Sequence, residues 1–205
     1  MRYAALAPLL LLASACTSPE SAQTTTAPAA DTTAALEPLD TARAPAVTAQ
    51  SDTLKTVRRR HLFSSPTAPD LFMLVLRGPA VTGGEVTLTI TDAGGQVIFR
   101  ELLTAADLEA SMVYEMKTTT ATPAEREAFI RKRMDEFFAD KNFRTPALSA
   151  REAYQPGTLD RATWDDLQRQ PRAIGFHYLV GKEDVRRVVW LPRTKQVVHL
   201  PGFGG

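Results

Sequence analysis

His177, Trp190 and His199 are the side chains of this chain best suited to chemistry or recognition, since an imidazole moves protons or ligates metals and an indole stacks on sugars and aromatic groups. All three lie in a stretch that reads as three strands, 174–180, 185–191 and 196–200. Gly181-Lys182-Glu183-Asp184 and Pro192-Arg193-Thr194-Lys195 join them. Pairing the strands through these turns sets Val180 beside Val185 and Leu191 beside Gln196. One face then carries Ile174, Phe176, Tyr178, Val180, Val185, Val189, Leu191, Val198 and Leu200 and is the core face. The other carries His177, Leu179, Arg186, Val188, Trp190, Val197 and His199. On that register the two histidines flank Val188 roughly 10 Å apart. A shared metal is excluded, because zinc holds each nitrogen at about 2 Å, so no metal site is expected. His177, Trp190 and His199 instead outline a binding platform for a sugar, an aromatic group or a partner. The competing expectations are that a helix or the N-terminal strands cover this face, or that it is a half-polar solvent face.

Enzyme motifs are missing. The chain has no G-x-S-x-G, H-E-x-x-H, P-loop or G-x-G-x-x-G, and no cysteine beyond Cys16 to act as a thiol nucleophile or zinc ligand. No cofactor is expected, and a non-catalytic binding or accessory module for a partner protein or glycan is the leading reading. One alternative is a hydrolase assembled from scattered groups such as His177, Glu183, Asp184 and His199, which a cleft gathering two or more of them would support. Another is a structural or assembly component of the cell envelope.

The elements that position these residues are legible from pattern. Leu71 opens an apolar run ended by Arg77-Gly78-Pro79, 85–91 (EVTLTIT) alternates, and 97–103 follows the turn Asp92-Ala93-Gly94-Gly95, together a hairpin signal. Thr122-Pro123-Ala124-Glu125 combines a capping residue, proline at the first helical position and glutamate three on. Ile130, Met134, Phe137 and Phe138 then recur at helical spacing. Weaker helix starts stand at Thr104, Ser149 and Thr163, the last closed by Pro171. Strands, then helices, then strands predict an α+β domain, with an antiparallel sheet and helices packed mainly on one face.

With 24 Lys and Arg against 23 Asp and Glu, the chain has no field favouring nucleic acid, and no nucleic-acid partner is expected. Arg58-Arg59-Arg60, before His61, form a local basic patch read as a solvated or salt-bridged edge, with weak attraction to anionic lipid heads as the functional alternative.

The N-terminal segment concerns location. Arg2 precedes an apolar run, 4–15 (AALAPLLLLASA), that is too short to cross a bilayer as a helix and suits a signal-peptide core. The only cysteine follows directly, in Ala13-Ser14-Ala15-Cys16. This segment resembles the lipobox of bacterial lipoproteins, with Leu12 one place earlier than that pattern has it. The resemblance implies a diacylglycerol on Cys16, commonly an added amide-linked chain, and hence stable anchoring in a membrane. Thr17 stands where the family's inner-membrane retention signal has Asp, which implies an outer-membrane destination in the cell envelope. From Thr17 to Ser51 the composition is Thr, Ala, Ser and Pro with few charges, the composition of a disordered tether. Asp31-Thr32-Thr33, Asp40-Thr41-Ala42 and Asp52-Thr53-Leu54 resemble the acceptor motif of a general bacterial O-glycosylation system, which would place glycans on Thr32, Thr41 and Thr53. The expected organisation is a signal peptide over 1–15, an acylated cysteine and tether over 16–54, and one domain over 55–205.

Overall fold

A computed structural model describes residues 47, 48, 50–157 and 159–203. Cys16, Thr32 and Thr41 lie outside the described residues, as do the signal segment and most of the tether. The domain is α+β, as its pattern predicts, but its strands form two four-stranded antiparallel sheets instead of one. The first is a meander of β1 (Thr53–His61), β2 (Asp70–Arg77), β3 (Glu85–Thr91) and β4 (Val97–Thr104). The second has the order β5 (Phe143–Arg144), β6 (Gly175–Val180), β7 (Asp184–Leu191) and β8 (Gln196–Phe203). Between the sheets in sequence come α1 (Ala105–Glu109), a 3-10 turn over Ala110–Tyr114 and α2 (Pro123–Glu136); α3 (Arg161–Gln168) follows β5. No helix among the described residues is long and apolar enough to cross a membrane.

Alternation builds the main core. Asp70, Phe72, Leu74 and Leu76 of β2 and Val86, Leu88 and Ile90 of β3 are buried on one face. They meet Phe176, Tyr178, Val180 and Val188 from the second sheet and Ile130, Met134, Phe137 and Phe138 from α2 and its C-terminal turn. Phe176 is the hub, with ring centroids 5.3 Å from Phe72, 5.7 Å from Phe138 and 5.2 Å from Tyr178. Glu101 of β4 crosses between the sheets, accepting from the Tyr178 hydroxyl and pairing with Arg186. Burial first, and then this hydrogen bond to a carboxylate, raise the Tyr178 pKa far above its ordinary value, so the phenol stays a donor. A second, smaller core covers the opposite face of the second sheet, where Ala147, Leu148, Trp164 and Leu167 pack on Val189, Leu191 and Leu200.

Several expectations need correction. The basic run Arg58-Arg59-Arg60 is not among them: it lies on β1, an edge strand of the first sheet, with all three side chains exposed and Arg59 paired with Asp140, the solvated and salt-bridged edge expected. Lys55 and Arg59 pair at the surface with Asp135 of α2 and Asp140 beyond it, and His61 stacks on Phe143 at 3.8 Å. Ser149 starts no helix. It heads a single turn closed by Glu152 N–H on the Ser149 carbonyl, and the Glu152 carboxylate is drawn to Arg187 instead. The cap of α3 is Asp160, whose side chain accepts from the Thr163 N–H, so the helix begins before the expected Thr163. At the other predicted starts, Thr104 and Thr122 each form a reciprocal capping box with the acidic residue three on.

The largest correction is a register shift. Val180 faces Asp184 and Leu179 faces Val185, so the β6–β7 turn holds three residues, with Gly181 at φ +66°. The expected pairing of Val180 with Val185 is one residue out, and a one-residue slip exchanges faces. The β7–β8 pairing is as expected, with Leu191 opposite Gln196.

Candidate functional site

The register shift separates the expected platform. His177 pairs with Arg187 and lies on the sheet face turned toward the second core. Trp190 and His199 lie on the other face, toward the first sheet, with Val188 opposite His199. His199 is exposed at the seam where β8 meets β4, its ring 5.6 Å from Phe99. The three side chains therefore form no common surface. Coverage of the Trp190 face by the N-terminal strands, one of the competing expectations, describes its packing better, since Trp190 lies half-buried against the main core.

The scattered-hydrolase set is likewise dispersed. Glu183 accepts from the Tyr114 hydroxyl, Asp184 pairs with Arg186 at 2.9 Å, and His177 is buried. None of the cavities described here is lined by two of His177, Glu183, Asp184 and His199. Among the described residues no three His, Cys, Asp or Glu side chains gather as metal ligands. Thr53 is exposed at the start of β1, opposite Arg77.

Trp190 nonetheless lines a cleft of about 560 Å³ between the β1–β2 loop and the segment after α3. The first wall is Leu62, Ser64, Ser65 and Pro66. Asp70, fully buried, fixes it by accepting from the Ser64 N–H at 2.6 Å and the Ser64 hydroxyl at 2.7 Å. Ser65 Oγ accepts from the Ala68 N–H and tightens the same loop. Phe63 turns into the main core and pins the loop from below. The second wall is Arg169, Gln170, Pro171, Arg172 and Ile174, where turns close from Gln170 N–H to the Leu167 carbonyl and from Ala173 N–H to the Gln170 carbonyl. Arg169 is paired with Asp166 at 2.9 Å.

The cleft continues. A neighbouring hollow of about 360 Å³ shares Gln170 and Pro192 with it and runs on past Asp166, Thr163 and Thr194 to Asp160. The two adjacent hollows thus offer an indole, prolines and arginines in one and carboxylates and hydroxyls in the other. Sequence reading identified Trp190 but missed Leu62, Pro66, Arg169 and Arg172, which come from loops about a hundred residues apart. Pro171 marked the close of a helix, with nothing in the pattern to show that the chain after it faces the β1–β2 loop.

His177 occupies a different environment. It is 8% exposed, and its Nε2 is buried without a hydrogen-bond partner. Beside it Arg187, 2% exposed, makes a two-pronged pair with Glu152 and donates to the Pro201 carbonyl. Burial, then the positive charges of Arg144 and Arg187, pull the His177 pKa down to about 4, against a smaller opposing pull from Glu152. His177 is thus a neutral, structurally enclosed imidazole at physiological pH.

Comparison with protein-family models, with curated proteins and with solved structures finds no match to this chain.

Proposed function

We propose that the domain is a non-catalytic binding module of the cell envelope, held at a membrane through a lipid on Cys16, which takes an extended glycan or peptide in the Trp190 groove. The observation that carries this reading is the groove itself: a half-buried indole between two internally fixed loops, flanked by prolines and arginines, and continuous with a polar hollow. Aromatic floors bind sugar faces and proline rings through the same flat apolar contact, while the polar end supplies orientation. The dispersal of His177, Glu183, Asp184 and His199 weighs against the hydrolase reading. The lipobox-like segment around Cys16 supports the membrane location.

Trp190 fluorescence provides the test. Trp164, the other tryptophan, is buried in the second core at 1% exposure, so it stays dark to iodide and need not be replaced. Wall-derived glycan fragments and proline-rich peptides are titrated against the full chain. Binding of either class should protect Trp190 from iodide, and calorimetry should find that binding weakened at least about tenfold in Trp190→Ala. Retained binding in Trp190→Ala would refute the groove as the site.

A further inference from the structure

At the C-terminal end of α2, past the point where the short β5 stops pairing with β6, lies a small cavity of about 240 Å³. It is smaller than the sites that take drug-sized ligands, which begin near 300 Å³. Arg133 from α2, Lys141 from the turn after it and Arg144 of β5 line it, with Glu136 as the one carboxylate and His177 in its wall. None of the three cations makes an ion pair among the described residues, whereas Lys55, Arg59, Arg126, Arg131, Lys132, Arg161 and Arg169 all do. Three positive charges against one negative leave an excess of two. The Nε of Arg133 is also buried with no acceptor, while His177 Nε2 turns toward Gly175 at the edge of the second core.

The cavity is held open by its own scaffold. Asn142 Nδ2 donates to the Phe137 carbonyl at 2.8 Å, fixing the turn that presents Lys141 and Arg144. We propose that this cavity is a binding site for a phosphate-class oxyanion, held by Arg133, Lys141 and Arg144 against the His177 wall. Planar guanidinium groups match the spacing of phosphate oxygens, and the lysine adds a point charge. A dianion balances the excess charge. The site is separate from the Trp190 groove, and the two stand or fall independently.

The His177 ring reports occupancy. An anion placed among these cations offsets the positive field of Arg144 and raises the midpoint of His177 protonation from about 4 toward its ordinary 6.5. Arg133, Glu136, Lys141, Arg144, Glu152 and Arg187 are the charged groups around the ring, and all but the bound anion are common to both states.

The experiment titrates the full chain with inorganic phosphate at a series of pH values between 4 and 7, read by the NMR signals of the His177 ring and their protonation midpoint, with glycerol 3-phosphate as a lipid-headgroup analogue. Saturable shifts at millimolar concentration are expected with both, since the site reads the phosphate group they share. Lys141→Gln with Arg144→Gln, both exposed side chains whose loss leaves the core intact, should weaken binding at least about tenfold. The proposal is overturned if no saturable shift occurs, if sodium chloride at equal ionic strength reproduces it, or if the double variant binds as tightly. Binding of glycerol 3-phosphate without inorganic phosphate would also overturn it, in favour of a larger ligand.

Discussion

Acidifying the protein from pH 7.5 to 5 should cost it stability through His177 alone. In the unfolded chain this imidazole protonates near 6.5, and in the folded chain only near 4. Because the folded pKa is depressed, the unfolded state binds the extra proton first, so stability is full above about pH 6.5 and falls as pH drops toward 4. The whole displacement is worth about 3 kcal/mol, of which about 2 kcal/mol is lost by pH 5. Stopping at pH 5 keeps ordinary carboxylates ionised and leaves the histidine contribution exposed. The assay is urea unfolding at four pH values in buffers free of multivalent anions, with His177→Gln alongside. The wild type should lose midpoint steadily from pH 6.5 downward, and the variant should not. A flat wild-type profile, or the same slope in His177→Gln, would refute the enclosed, neutral imidazole.

Gly175→Ala should destabilise by about 1 to 3 kcal/mol, since the added methyl would lie 3.1 Å from Ala147 Cα, 3.2 Å from its Cβ and 3.3 Å from His177 Nε2; thermal unfolding measures the loss. Glu152→Ala should cost about 3 to 5 kcal/mol by leaving Arg187 charged and enclosed, and Arg187→Met with Glu152→Leu should restore most of it. Chemical denaturation of the two variants checks that order, which is lost if the pair is solvent-screened. Cys16→Ala should move the protein from the membrane pellet to the soluble fraction with its unfolding midpoint unchanged; persistence in the pellet would remove the lipid anchor from the proposal.

Local chemistry was readable where a residue acts on its near neighbours. The capping boxes at Thr104 and Thr122 and the Asp92–Gly95 turn, with Gly95 at φ +86°, follow from side chains that satisfy backbone groups a few residues away. The β6–β7 register was not readable because both faces of those strands are buried: Phe176, Tyr178 and Val188 enter one core, Val189 and Leu191 the other. With apolar residues on both sides, alternation no longer names the inward face, and the choice fell to a turn one residue shorter than assumed. β1 was missed for the opposite reason. Its arginines hide a strand that gives the main core only Leu54 and Val57, while Lys55 and Arg59 reach carboxylates on and after α2. The groove needed the meeting of two distant loops, information that pattern does not carry.

The second core is thin, and that gives the domain an unequal resistance to opening. A single excursion of chain between β5 and β6, containing α3, supplies the whole cover over Val189 and Leu191 and one wall of the Trp190 groove. It is latched chiefly by Trp164, Leu148 and the Glu152–Arg187 pair. Segments with few buried contacts open below the global unfolding energy, so amide exchange in α3 should run ahead of exchange in β2, β3 and β6. A ligand bridging both walls would then slow exchange in α3 and leave the central strands at their own pace. For such a ligand, capture and the fastening of this flap would be one event, and its affinity would depend in part on how loosely the flap rests beforehand.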